Sequence, residues 1–160
     1  MEHTQHGRHH NGPRRIACDP PACGVGVNNM STMAATGKPV LEPDARHPIT
    51  IEPNPARVVV SVAGRVVAET THALTLREAS YAPVQYVPLA DIDTSLLTPS
   101  DHTSYCPYKG DCSYYSIPIG GEQSVNAVWE YRDPYPAVGE IRGRVAFYPD
   151  RVELVELEEP

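Results

Sequence analysis

The chain has 160 residues and a formal net charge of −7. That length suits one domain with a tail. The negative charge argues against a nucleic-acid partner, because binding to a phosphate backbone needs clustered Lys and Arg. No apolar run approaches the roughly 20 residues of a membrane-spanning helix, so we expect no membrane partner either.

The N-terminal part of the chain lacks the side chains that build a core. Residues 1–55 contain no aromatic residue and eight of the seventeen prolines, so they cannot bury enough apolar area to offset the entropy lost on ordering. We predict a disordered or tag-like leader over residues 1–36 and an extended, proline-rich arm over residues 37–56. The leader lacks the apolar stretch of a signal peptide. This predicts a cytoplasmic protein whose cysteines stay reduced.

The predicted strands fall within residues 57–157, which we expect to form a single β-domain. The segment Arg57–Thr70 contains two β-branched runs around an Ala-Gly pair, a pattern typical of a hairpin. Three further elements follow in chain order: strands at His72–Ala79 and Pro83–Pro88, and one short helical segment within Leu89–Asp101.

The C-terminal part predicts a long hairpin followed by two further strands. The hairpin is Ser113–Asp133, which turns at a Gly-Gly pair, and the two strands lie within Glu140–Leu157, on either side of a Pro-Asp pair. Strand alternation places Trp129 and Tyr131 on one face and Glu130 on the other. About seven short strands with one short helical turn indicate an all-β sandwich or small barrel.

The loop "CPYKG", residues 106–110, contains the most distinctive chemistry. Lys109 is the only lysine in the predicted domain, and a tight turn places it near Cys106. An adjacent cation lowers the pKa of a thiol, so Cys106 is a candidate nucleophile. The alternative is a buried structural cysteine beside a lysine in solvent. Lys109 is also a candidate anchor for a carboxylate or phosphate.

A second cysteine, Cys112, leaves two other interpretations open. Cys106 and Cys112 would form a disulfide if the turn brought their Cα atoms within about 7 Å. With His102 they would make three zinc ligands, but the spacing fits none of the usual zinc patterns and lacks a fourth ligand. We therefore expect no metal and no cofactor.

The remaining candidates are carboxylates, imidazoles and rings. Glu78 follows an apolar strand, where it is either a solvated charge or a general base that also holds Lys109. His102 follows an aspartate and is a candidate proton carrier. Aromatic side chains with polar tips typically line small-molecule pockets. The candidates of this kind are Tyr86, Tyr105, Tyr114, Trp129 and Tyr131.

Four segments together resemble the domain-of-unknown-function 427 family: "LREASYAPVQYVPLADID", "SDHTSYCPYKGDCSYYSIPIGG", "NAVWEYRDPYPAV" and "IRGRVAFYPDRV". The resemblance implies a compact β-tent-like fold, in which two small antiparallel sheets lean together. Proteins of that class commonly hold zinc on two Cys-x-x-Cys knuckles, which this sequence lacks. Some naming schemes place the family under a nucleotidyltransferase heading. We interpret Asp91 and Asp93 as opening the short helical turn rather than as magnesium ligands.

These residues favour a pocket for a small, anionic molecule, with or without catalysis. In this hypothesis Lys109 holds the anionic group, Glu78 or His102 moves protons, and Trp129 stacks on the ligand. A second hypothesis is a non-catalytic module that recognises a peptide or protein through its aromatic residues. A third assigns the rings to the core and to a homodimer face. Nucleotidyl transfer rests on the family heading alone.

Overall fold

A computed structural model describes residues 32–33 and 37–158. Within these ranges the chain forms twelve strands. In chain order they are β1 (Thr32–Met33), β2 (Pro39–Val40), β3 (Ile49–Pro53), β4 (Arg57–Val62), β5 (Arg65–Thr70), β6 (Leu74–Glu78), β7 (Val84–Pro88), β8 (Thr98–Cys106), β9 (Gly110–Ser116), β10 (Val128–Glu130), β11 (Arg144–Phe147) and β12 (Glu153–Leu157). The predicted all-β class is confirmed.

The strands form two main sheets. The larger has seven strands in the order β3-β6-β7-β11-β10-β9-β8, and the smaller has three in the order β12-β4-β5. Every pairing is antiparallel. A separate two-stranded pair joins β1 to β2. The expectation of two antiparallel sheets is confirmed, although the larger sheet alone has as many strands as the sequence predicted for the whole domain.

Side-chain alternation divides the interior into two apolar clusters. On β10, Val128 belongs to one cluster and Trp129 to the other. On β7, Val87 and Tyr86 divide in the same way, because successive side chains of a strand point to opposite faces. The first cluster contains the buried valines of β4 and so lies where the small sheet packs on the large one. The second is rich in tyrosine and contains Cys106 and Cys112.

The two strands predicted within Glu140–Leu157 are present, but they do not pair with each other. β11 pairs with β7 and β10, whereas β12 pairs along its whole length with β4 in the small sheet. Val152 and Leu154 pack against the cluster between the sheets, so β12 gains apolar burial that pairing with β11 would not provide. A turn at Pro149–Asp150 is present, but it carries the chain from one sheet to the other.

Short 3-10 helices are more numerous than predicted. The expected helical segment contains two of them, Leu89–Asp91 and Thr94–Leu96. Two more, Pro118–Ser124 and Pro136–Ile141, each begin with proline, whose fixed φ suits a first helical position. Pro118–Ser124 occupies the expected tight turn between β9 and β10, so that hairpin has a longer connection than predicted.

The arm that the sequence predicts over residues 37–56 contains an edge strand of the larger sheet. Residues Ile49–Pro53 form β3, which pairs in register with β6. The main-chain N–H of Leu41 donates to the carbonyl of Pro107 at 3.0 Å, so the arm also contacts the loop that carries Lys109. Most of the predicted leader lies outside the described residues.

Candidate functional site

The loop between β8 and β9 turns Lys109 into the interior. The backbone N–H of Lys109 donates to the carbonyl of Cys106 at 3.2 Å, and the N–H of Tyr135 donates to the carbonyl of Lys109 at 3.0 Å. Gly110 follows with φ +111°, a conformation that side chains rarely adopt. Lys109 is 1% exposed as a result. Of the two interpretations of this loop, the one that places Lys109 in solvent is therefore wrong.

Lys109 forms a buried ion pair with Glu78. Its Nζ donates a hydrogen bond to Glu78 Oε2, and the Glu78 side chain is 2% exposed. Glu78 is the last residue of β6, where the sequence left a solvated charge as one interpretation. The alternative, in which Glu78 holds Lys109, is the arrangement found. Burying two ions removes their hydration, which costs free energy. Their mutual attraction offsets that cost only where the geometry of the pair is good.

Two further groups surround the ammonium of Lys109. It donates to Cys106 Sγ at 3.9 Å, and its Nζ lies 6.0 Å from the centre of the Tyr131 ring. Cys106 is buried, as its interpretation as a structural cysteine predicts. The ammonium is thus surrounded by a carboxylate, a sulfur atom and an aromatic ring, each of which stabilises a cation.

His47 connects the ion pair to the surface. Its Nε2 lies 2.8 Å from Glu78 Oε1, and its ring stacks on Tyr108 with centres 4.1 Å apart and planes at 4°. The His47 side chain is 24% exposed. Asp44 Oδ1 accepts the backbone N–H of His47 at 2.9 Å, and such bonds lower the pKa of Asp44. This turn holds the imidazole over the carboxylate.

Sequence reasoning missed His47. It lies in the proline-rich arm, with no strand or motif around it to suggest a role. The histidine that contacts Glu78 is His47. His102 is exposed on β8, and its ring lies 4.5 Å from that of Tyr114.

Three of the candidate rings pack behind the ion pair. Tyr86, Trp129 and Tyr131 are each 0% exposed and belong to one cluster. Trp129 Nε1 donates to the Tyr86 hydroxyl at 3.2 Å, and the two rings meet edge to face. Tyr148 packs against Trp129 with ring centres 4.6 Å apart. Of the predicted aromatic residues, Tyr131 is the one whose ring is placed beside Lys109.

The other two candidate tyrosines are used in separate contacts. The hydroxyl of Tyr105 donates to the carbonyl of Pro39 at 2.6 Å and lies 2.7 Å from the Tyr135 hydroxyl. The hydroxyl of Tyr114 lies 2.7 Å from that of Ser104. Burial raises the pKa of both phenols, so each stays protonated at neutral pH.

Cys106 and Cys112 are both free thiols. In the β8–β9 pair Cys106 is opposite Gly110, whereas Cys112 is opposite Ser104, so the two cysteines do not face each other across the ladder. Burial raises the pKa of Cys112 to about 11, which makes it a poor nucleophile at neutral pH.

The described residues contain no group of three or more His, Cys, Asp or Glu side chains placed to hold a metal ion. Asp91 accepts a hydrogen bond from Thr70 Oγ1 at 2.6 Å, and Asp93 caps Thr94–Leu96 by accepting the N–H of Ser95 at 3.2 Å. Asp93 therefore opens a helical turn as predicted, whereas Asp91 is the last residue of the turn Leu89–Asp91. In the same part of the chain, no helix is both long and apolar enough to cross a membrane.

Comparison with known proteins supports the resemblance seen in the sequence. The model of a family described as a domain of unknown function (DUF427) matches residues 50–158, which include β6, the Lys109 loop and the aromatic cluster. His47 precedes the matched region. No curated protein matches the chain at a significant level. Because the family model spans more than half of the chain, the protein belongs to the DUF427 family.

Proposed function

We propose that this protein binds a small anionic molecule at the site formed by Glu78, Lys109 and His47, and that the three side chains move a proton when it binds. The observation that carries this proposal is the buried Lys109–Glu78 pair, with side chains 1% and 2% exposed. A buried pair contributes little net stability compared with apolar side chains of similar size. Its presence in a small apolar core therefore supports a use in binding or catalysis.

The side chains around the pair supply the other parts of a binding site. His47 and Tyr108 are stacked and partly exposed, so a movement of this layer would open a path to Lys109. Tyr131 would form the wall next to the ligand, with Trp129 and Tyr86 packed behind it. An aromatic wall with a few convergent polar groups is typical of small-molecule sites.

Charge balance gives the proposal a specific consequence. With His47 neutral, the site holds one negative and one positive charge, and an entering anion would leave one buried negative charge without a partner. Uptake of one proton by the His47–Glu78 pair restores neutrality. Binding should therefore be accompanied by proton uptake and should weaken as the pH rises.

The experiment is a thermal-shift screen against a panel of small carboxylates and phosphate monoesters, followed by calorimetry in two buffers of different ionisation enthalpy. We expect at least one compound to stabilise the wild type and to bind with uptake of about one proton. His47→Gln should abolish the proton uptake, and Lys109→Arg, which retains the charge, should weaken binding at least tenfold because its fork does not fit a site shaped for an ammonium.

Lys38→Met is the matched control, because Lys38 is the other lysine of the chain and its salt bridge to Asp111 is exposed. It should respond to ligand as the wild type does. A panel in which no compound stabilises the wild type would refute the proposal. Equal responses to ligand from the wild type and Lys109→Arg would also refute it. His47→Gln and Lys109→Arg are first checked for a native circular dichroism spectrum.

The rival functions have less support among the described residues. Peptide recognition through Trp129 and Tyr86 would require exposed rings, and both are fully buried. Nucleotidyl transfer rests on the family heading, since Asp91 and Asp93 form local hydrogen bonds.

A homodimer and a cytoplasmic location remain part of the proposal. They are supported by exposed Val66 on edge strand β5 and by the two buried free thiols, respectively.

A further inference from the structure

The side chains of Cys106 and Lys109 are placed to react with each other. Lys109 Nζ lies 3.9 Å from Cys106 Sγ, and both residues are 1% exposed. They are three residues apart in one loop, which the hydrogen bond from the Lys109 N–H to the Cys106 carbonyl closes. For a bond to form, the Lys109 nitrogen must move from the Glu78 carboxylate towards the sulfur.

We propose that Cys106 and Lys109 form a covalent sulfur–nitrogen bond when the protein meets a peroxide. In the first step the Cys106 sulfur takes one oxygen from hydrogen peroxide, which gives a sulfenic acid and releases one water. Sulfur loses two electrons and the peroxide gains them. In the second step the Lys109 amine attacks the sulfur, the S–O bond breaks, and the hydroxyl leaves as a second water. Sulfenic acids are known to condense with nitrogen in this way.

Glu78 supplies the base that the second step needs. An ammonium group has no lone pair, so Lys109 must first lose a proton, and Glu78 Oε2 is its hydrogen-bond partner. The proton then stays on Glu78 or passes through His47, whose Nε2 lies 2.8 Å from the other carboxylate oxygen. The product has a neutral nitrogen and a neutral carboxylic acid. The reaction thus removes two charges from the interior, where each is costly.

Cys112 is an internal control for the reaction of Cys106 with Lys109. It is also a buried free thiol of β9, but its raised pKa keeps it protonated, and its sulfur contacts the carbonyl of Ser113 rather than an amine. We expect Cys112 to remain a thiol under conditions that link Cys106. The inference does not depend on the proposed ligand, because it needs only the loop and Glu78.

The test is peptide mass analysis of the full wild-type chain after treatment with hydrogen peroxide, alkylation of free thiols and digestion with trypsin. Trypsin cuts after a free lysine, so a linked Lys109 leaves the peptide Glu78–Arg132 intact. That peptide should have an alkyl group on Cys112 alone, and its mass should be about 2 Da below that calculated for the same uncleaved peptide with Cys106 as a free thiol, because the link removes two hydrogens. Treatment with a thiol reductant should restore cleavage after Lys109, and cleavage after Lys38 should be normal throughout.

Three results would overturn the inference. One is cleavage after Lys109 with Cys106 oxidised to sulfinic or sulfonic acid, and another is an unalkylated Cys112, which would indicate a disulfide. The third is the same mass loss in Lys109→Arg, whose charge is retained but whose guanidinium does not condense with a sulfenic acid. In that variant we expect Cys106 to proceed to sulfinic acid instead. Glu78→Gln, which lacks the base, should slow formation of the link at least tenfold.

Discussion

Lys109 shows how much a single side chain depends on contacts made from elsewhere in the chain. The sequence identifies it as unusual, since it is the only lysine of the β-domain, and places it near Cys106. Glu78, its ion-pair partner, lies 31 positions earlier in the chain, and His47, which contacts Glu78, lies a further 31 positions before that. Neither contact follows from local spacing, because both require the pairing of distant strands.

The buried pair allows a prediction about stability. Lys109→Met leaves the Glu78 carboxylate in the interior without its ammonium, so we expect the free energy of unfolding to fall by about 3–5 kcal/mol. In the double variant Lys109→Met/Glu78→Leu no charge is left unpaired, and most of that loss should be recovered. Urea unfolding followed by the fluorescence of Trp129, the only tryptophan, measures both.

Lys38→Met serves as the control for that comparison. Lys38 and Asp111 form an ion pair whose side chains are 45% and 75% exposed, so its loss should change stability by less than about 1 kcal/mol. A double variant as unstable as Lys109→Met would contradict the prediction. It would mean that lost packing in the loop, rather than the unpaired carboxylate, accounts for the destabilisation.

At the scale of elements, the sequence predicts what is local and misses what is not. The hairpin within Arg57–Thr70 is confirmed, because two β-branched runs and a turn at Ala63-Gly64 lie next to each other in the chain. The pairing of β12 with β4 joins strands about ninety positions apart and leaves no local pattern. The same limit applies to β3, which completes an edge of the larger sheet beside the turn that carries His47.

The β8–β9 turn is the element on which the site depends most directly. At Gly110 φ is +111°, far from the value of about +57° at which other residues adopt a left-handed conformation, and an added Cβ would make an ordinary contact with the Asp133 carbonyl oxygen at 3.4 Å. Gly143 has φ +73°, closer to that value, with nothing within 4 Å of an added Cβ, so it is the control for an ordinary left-handed glycine. Gly110→Ala should therefore cost about 1–3 kcal/mol, and Gly143→Ala about 1 kcal/mol.

Chemical denaturation of the two glycine variants gives the comparison. A larger loss in Gly143→Ala than in Gly110→Ala would show that the turn accepts a side chain and that Gly110 is not needed to hold Lys109 in place. If Gly110→Ala displaces Lys109 as expected, the rate at which peroxide links Cys106 to Lys109 should fall together with stability. Gly143→Ala should leave that rate unchanged.

At the scale of the whole molecule, the two clusters are joined through the strands they share. β10 contributes Val128 to the cluster between the sheets and Trp129 to the tyrosine-rich cluster, and β11 divides Val145 and Ala146 in the same way. The sequence predicts this division on β10 from alternation alone. It does not reveal which face contacts the small sheet, because that depends on the long-range pairing of β12 and β4.

Shared strands should make the two clusters unfold together. Val60 is 0% exposed on β4 in the cluster between the sheets, so Val60→Ala should lower the free energy of unfolding by about 2 kcal/mol. Because Trp129 belongs to the other cluster, its fluorescence reports unfolding at a distance from the substitution. In a two-state molecule the urea midpoint from Trp129 fluorescence and that from far-ultraviolet circular dichroism should shift equally.

Val155→Ala, at a 49% exposed position of β12, should leave both midpoints nearly unchanged. A shift seen only by circular dichroism would mean that the tyrosine-rich cluster unfolds separately from the small sheet.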